Sequence, residues 1–202
     1  MAAMRYYRNN PLLKGVGVQL DYTAEQIEEY LKCKNDPIYF IKKYVKIVHV
    51  DKGLVPFELY DYQEEVVTLL HNNNKVALNF CRQSGKTTTI AAFFLWFIIF
   101  HEDKVCAILA NKRITAFEIL SRVQKAYEHL PMWLQVGVVE FNKSRMLLEN
   151  GSRIIAEATS SAAIRGFSLN CISPSSMVTV RNKMTGEIET VSINDLRTNI
   201  MR

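Results

Sequence analysis

The chain lacks most of the patterns that assign a protein to a class at sight. Its four cysteines, Cys33, Cys81, Cys106 and Cys171, form no Cys-x-x-Cys pair and have no histidine cluster nearby. That argues against zinc and makes a reduced, cytosolic protein the simpler expectation. The opening stretch MAAMRYYRNNPLLKG has no apolar segment of the kind a secretory leader carries. The longest apolar run, Ile90 to Phe100, is about half as long as a membrane span requires, so it reads as a buried helix and no membrane partner is expected. Internal repeats and low-complexity segments are missing too. What is present is a globular composition: 202 residues, 49% hydrophobic and 22% charged, enough for one ordinary domain, or for an incomplete domain plus a small unit. A net charge of +5 suits a nucleic-acid partner without requiring one.

Thr23 to Lys34 read as a helix, with Thr23 as cap, Gln26 at the capping-box position and Ile27, Tyr30 and Leu31 on one face. After NDPIYFIKKYVKIVHV comes a turn signal, DKG, and then a short helix, YDYQEEVVTLLHN. KVALNF and KVCAILA each have the continuous apolar character of a strand covered on both faces. A helix starts at Gly85 or Lys86 after the first run. A second helix follows the other run, with Phe117, Leu120, Val123, Tyr127 and Leu130 at helical spacing until Pro131. RMLLENGSRIIAEA predicts two strands around Asn150-Gly151. Strands alternating with helices predict an α/β fold with a parallel sheet flanked by crossover helices.

The segment NFCRQSGKTT carries the chemistry. A phosphate-binding loop needs backbone N–H groups that wrap phosphate oxygens, a lysine for the outer phosphates and a hydroxyl residue for magnesium. Gly85, Lys86 and Thr87 form the second half of that pattern, while Phe80 stands where its first glycine belongs. A helix N-terminus after the loop would face an anion. The candidate nucleotide-binding residues are Cys81, Arg82, Gln83, Ser84, Gly85, Lys86, Thr87 and Thr88, with ATP and Mg2+ as expected cofactors. Arg82 could stabilise charge on a transferring phosphoryl group. Upstream, Gln63 could pair with an adenine edge and Phe57 or Tyr60 could stack on its ring. Taken alone, Gln63 reads as a solvated helix glutamine beside core aromatics.

Together, PFELYDYQEEVV, NFCRQSGKTT, VCAILANK and HLPMWLQVGVVEFNKSRMLLENGSRIIAEATSSAAIRGFSLN resemble the N-terminal ATPase of the large terminase subunit of tailed bacteriophages, in the T-even-like branch. The resemblance covers most of residues 5 to 170 and implies an incomplete P-loop NTPase over 1–170. That family also lacks the first loop glycine. It implies that Gln63 is the adenine-side glutamine, Lys86 the phosphate lysine, Thr87 the metal-binding hydroxyl and Arg82 an arginine finger in cis. Arg165-Gly166 matches an element of structural or nucleotide-sensing role. The implied activity is ATP-driven packaging of double-stranded DNA, with the phage portal, the small terminase subunit and a homo-oligomeric ring as partners, in the host cell cytoplasm. The family's apolar strand ending in Asp-Glu does not follow RGFSLN, nor does its nuclease domain.

From Cys171 the chain reads CISPSSMVTVRNKMTGEIETVSINDL, with two strand-like runs around KMTG and a helix start at Asn194-Asp195. This resembles the N-terminal splicing segment of an intein, a short all-β hairpin unit of the Hint type over 171–202. In that reading Cys171 attacks the Asn170 carbonyl to form a thioester, and a complementary C-terminal intein and terminase half completes the protein. Because the later splicing motifs do not follow, a naturally split half or a truncated product is expected. Two alternatives compete: a fragment of a P-loop DNA helicase or translocase, and a catalytically inactive remnant that binds only nucleotide or DNA. Lys42, Lys43, Lys112, Arg113 and Arg122 are candidate DNA contacts by charge alone.

Overall fold

The structure, a computed structural model, describes residues 5–49, 51–73, 76–78, 80–81 and 83–159, and the backbone of three short strands at 171–172, 177–181 and 188–192. Five α-helices are described: α1 (Ala24–Asn35), α2 (Pro37–Tyr44), α3 (Asp61–Asn72), α4 (Lys86–Phe100) and α5 (Arg113–Glu128). The strands are β1 (Lys46–His49), β2 (Gly53–Pro56), β3 (Val105–Ala110), β4 (Val138–Phe141), β5 (Arg145–Leu148), β6 (Arg153–Ala158), β7 (Cys171–Ile172), β8 (Met177–Arg181) and β9 (Ile188–Ser192).

Local chemistry accounts for where the helices start. The Thr23 hydroxyl accepts the Gln26 N–H at 3.2 Å and the Gln26 side chain accepts the Thr23 N–H at 3.1 Å, so the expected capping box opens α1. One residue past the end of α1, the Asp36 carboxylate accepts the N–H groups of Ile38 and Tyr39 at 2.8 and 3.0 Å, and Pro37 occupies the first helical position of α2. Tyr39 and Tyr44 on α2 both donate to the Glu29 carboxylate on α1, and Lys43 pairs with it at 2.7 Å. The expected apolar face of α1 is covered only in part. Cys33 is buried and Tyr30 meets the Phe100 ring edge-on, whereas Ile27 and Leu31 remain about half exposed.

The main sheet runs β4-β5-β6-β3-β7. β3 pairs in parallel with β6 and with β7, while β6-β5 and β5-β4 are antiparallel. The sheet is therefore mixed, which corrects the expectation of a parallel one. The tight turn at Asn150-Gly151, with Gly151 at φ +78, reverses the chain between β5 and β6 and makes that half antiparallel by construction. The connection from β3 to β6, through α5, β4 and β5, is a crossover between parallel strands. The DKG turn joins β1 and β2 into a separate hairpin, and β8 pairs antiparallel with β9 in another, where the two strand-like runs of the tail were expected.

A second correction concerns KVALNF. Its described residues take no strand conformation, although Leu78 is buried. Continuous apolar character reports burial; a strand also needs a ladder partner. Among the described residues, β7 is the strand paired on this side of β3.

The core lies between the sheet and the helical layer. α4 is buried along nearly its whole length and contributes Phe94, Leu95, Trp96, Ile98 and Ile99, all almost fully enclosed. α5 covers the same sheet with Leu120, Val123 and Tyr127. The Trp96 indole N–H donates to the Cys33 carbonyl at 2.8 Å, which joins α4 to the end of α1. No described helix is long and apolar enough to cross a membrane.

Candidate functional site

The orientation of α4 decides where its first turn lies. At its far end the Asn150 amide donates to the carbonyls of Ile98 and His101 at 2.9 and 3.1 Å, and the Ser152 hydroxyl donates to His101 at 2.6 Å. Asn150 and Ser152 belong to the turn that feeds β6, and Lys104 at the start of β3 donates its N–H to the Ser152 hydroxyl. The last turn of α4 thus sits at the amino ends of β3 and β6. Fifteen helical residues reach about 22 Å at 1.5 Å each, so the first turn lies toward the carboxyl ends of those strands, where open α/β sheets hold their ligands.

The loop that enters α4 is bent by two left-handed residues, Gln83 at φ +62 and Gly85 at φ +74. A glutamine is rarely found there, and such residues persist where the surroundings hold them. The Ser84 carbonyl is held by the Tyr62 hydroxyl at 2.8 Å and by the Gln63 amide at 3.4 Å. A Cβ on Gly85 would meet the Gln63 nitrogen at 2.5 Å, so glycine is required by both conformation and space. The Ser84 hydroxyl and the Lys86 ammonium both donate to the Cys81 carbonyl, at 3.1 and 3.2 Å. The N–H groups of Thr88 and Thr89 bond back to Gly85. Those of Lys86 and Thr87 have no acceptor among the described residues. Two N–H groups and a folded-back ammonium make a cradle suited to an anion, so the loop fits a nucleotide phosphate. Arg122 of α5 reaches the Thr88 hydroxyl at 3.0 Å.

Most sequence-derived site residues therefore meet. Cys81, Gln83, Ser84, Gly85, Lys86, Thr87 and Thr88 form the loop and first helical turn, and Gln63 lies against them. Gln63 is 3% exposed, and its amide oxygen accepts the Tyr60 N–H at 3.1 Å. The solvated reading of this residue is thereby corrected: it is a buried prop between α3 and the loop. Of the two stacking candidates, Phe57 is enclosed, whereas Tyr60 is 67% exposed and lies parallel to Tyr62 at 5.7 Å. Arg82, Arg165, Gly166, Asn170 and the helix start at Asn194-Asp195 lie outside the described residues. Cys171 lies in β7, opposite Cys106 of β3.

Two loop contacts were missed from sequence: the Tyr62 hydroxyl, hidden in an aromatic-rich helix start, and Arg122, separated from Thr88 by most of two helices. The candidate DNA contacts are more committed than charge alone implies. Lys42 pairs with Glu64 at 2.5 Å, Lys43 with Glu29 and Arg113 with Glu157 at 2.9 Å. Lys112 has no ion pair among the described residues. A cleft of about 310 Å³ beside the first turn of α4 is lined by Lys46, Thr88, Glu118, Arg122 and Lys125, among others.

A mixed sheet flanked by helices, with a lysine-bearing loop at the carboxyl ends of its parallel strands, defines a mixed α/β protein. Within it, residues 78–172 match the family described as terminase large subunit, T4likevirus-type, N-terminal. The structure is similar to the crystal structure of the HK97 bacteriophage large terminase, with a TM-score of 0.55 over 67% of this chain at 19% sequence identity. At that identity the likeness is one of fold. The chain spans 29% of the length of that terminase, and the matched segment includes the cradle and ends at Ile172, the last residue of β7.

Proposed function

We propose that this chain is the front part of the ATPase of a phage DNA-packaging motor, a terminase large subunit, and that the loop from Cys81 to Thr88 holds the phosphates of ATP. The observation that carries the reading is the place of Gly85, Lys86 and Thr87: at the carboxyl ends of β3 and β6, inside the segment that matches the terminase family. Lys86 exchanges the Cys81 carbonyl for an outer phosphate, and the Lys86 and Thr87 N–H groups bond its oxygens. Thr87 offers its hydroxyl to Mg2+, Gln63 steadies the loop from the adenine side and Tyr60 offers an exposed ring for the base. Arg82 is assigned the finger in cis. Mg2+, when bound, neutralises charge on the phosphates. Double-stranded DNA, portal, small subunit and a ring of copies in the host cytoplasm are the partners of this reading. Titration of the chain with a fluorescent ADP in the presence of Mg2+ tests it. Lys86→Ala should weaken binding by at least about tenfold, and equal affinity in both proteins would remove the loop from the proposal.

The separate β8-β9 hairpin, outside the five-stranded sheet, supports a second reading for the tail, an intein's first segment. In it the Cys171 thiol adds to the Asn170 carbonyl, the peptide C–N bond breaks, and a thioester and a free Cys171 amine result. Incubation with excess dithiothreitol should then release a fragment ending at Asn170, and Cys171→Ala should abolish that release. An intact wild-type chain would leave Cys171–Ile172 as an ordinary strand of the ATPase sheet.

A further inference from the structure

We infer that Arg122 of α5 is a positioning residue for the phosphate loop, acting through the hydroxyl of Thr88; the inference rests on the nucleotide reading of that loop. Its guanidinium donates to the Thr88 oxygen at 3.0 Å, a bond between α5 and the first turn of α4. Thr88 follows directly on Lys86 and Thr87, whose N–H groups face the cradle. Successive residues of a helix turn by about 100°, so fixing the azimuth of Thr88 fixes the direction in which Lys86 and Thr87 present their donors.

Among the described residues, no other side chain from outside the loop is hydrogen-bonded to this turn. Gly85, the cap, supplies no side-chain bond, and α4 carries no acidic residue in its first turn. Thr89 bonds only back to Gly85. The loop before the turn is held by a different helix, α3, through Tyr62 and Gln63 on Ser84. Arg122 therefore completes a two-sided clamp, with α3 on the loop and α5 on the helix start.

The choice of partner is informative. Glu118 stands one turn earlier on α5, at the spacing and in the order that favour an ion pair with Arg122. It lines the same cleft, yet the guanidinium reaches across to a neutral hydroxyl instead. A planar, permanently charged fork can make that bond while keeping donors free toward the cleft. It also adds a positive charge beside the anion cradle, where it favours phosphate without touching it.

The test is a binding cycle on the full chain with fluorescent ADP and Mg2+, using Arg122→Ala, Thr88→Val, the pair together and Thr88→Ser, with Lys86→Ala as reference. Arg122→Ala and Thr88→Val should each weaken binding about three- to tenfold, the pair no further than the worse single change, and Thr88→Ser should recover most of the loss seen with valine. Circular-dichroism melts identify any variant that fails to fold, and Arg122→Met, which keeps the aliphatic stem but no donor, then takes the place of Arg122→Ala. Additive losses in the cycle, or full affinity in Arg122→Ala while Lys86→Ala has lost it, overturn the positioning role and leave the nucleotide reading standing. A wild-type chain that binds no nucleotide overturns both.

Discussion

α4 and α5 lie side by side on one face of the same sheet and are held there in different ways. Beyond its first turn α4 is apolar on every side, with no charged residue in its last turn and a glycine cap that makes no side-chain bond. α5 is one-sided: Ala116, Leu120 and Val123 are buried, while Glu118, Arg122 and Lys125 face outward. Burial holds the body of the first helix in place, with hydrogen bonds at Trp96, at its last turn and at Thr88, so its loop-bearing end can be left without the usual cap and with donors unpaired. The second helix is anchored by a stripe, which leaves its outer flank available to send Arg122 onto its neighbour. A site at the start of α4 thus borrows rigidity from a core that takes no part in the chemistry.

The sharpest way to break that contrast is Trp96→Ala. Trp96 is 1% exposed and bonded to Cys33, and its truncation should cost about 3–5 kcal/mol in urea unfolding. On the outer flank of α5, Lys125→Ala should stay within about 0.5 kcal/mol; comparable losses would mean that α4 is no more embedded than α5. Gly85→Ala comes next. Its φ of +74 and the contact with Gln63 should cost about 1–3 kcal/mol and displace the loop, read as lost nucleotide binding. Thr23→Ala removes the α1 cap and should cost about 1 kcal/mol. The smallest effect is expected from pH. The Lys43 ammonium, with Tyr39 and Tyr44, holds the Glu29 carboxyl below its ordinary value. A lowered folded value gives stability that is full above the unfolded value and lost as pH falls through the folded one. Melting temperature should therefore fall more steeply below about pH 4 in the wild type than in Glu29→Gln.

How much could be read in advance depended on whether a signal was local. The Thr23–Gln26 box, the Asn150-Gly151 turn and the start of α4 are decided by neighbours in sequence, and the structure has them where they were expected. β4 was not legible, because Val138–Phe141 is short, half exposed and defined by a partner across a turn. The mixed direction of the sheet escaped for the same reason. KVALNF misled because apolar character was read as pairing. At the loop, the glycine-lysine-threonine step was visible, but its supports, the Tyr62 hydroxyl and the Arg122 guanidinium, come from other elements and leave no pattern in the chain.

The chain holds two tryptophans, and one of them is the buried Trp96 in the helix that carries the cradle. His101 stacks edge-on against the Trp96 ring at 5.0 Å and His71 at 5.2 Å. Burial holds His101 below the ordinary histidine value, so its ring takes up a proton less readily than an exposed imidazole. Protonated imidazole quenches indole emission. The Trp96 indole therefore serves as an optical gauge of the helix that carries the cradle, and its emission should dim as His101 takes up its proton.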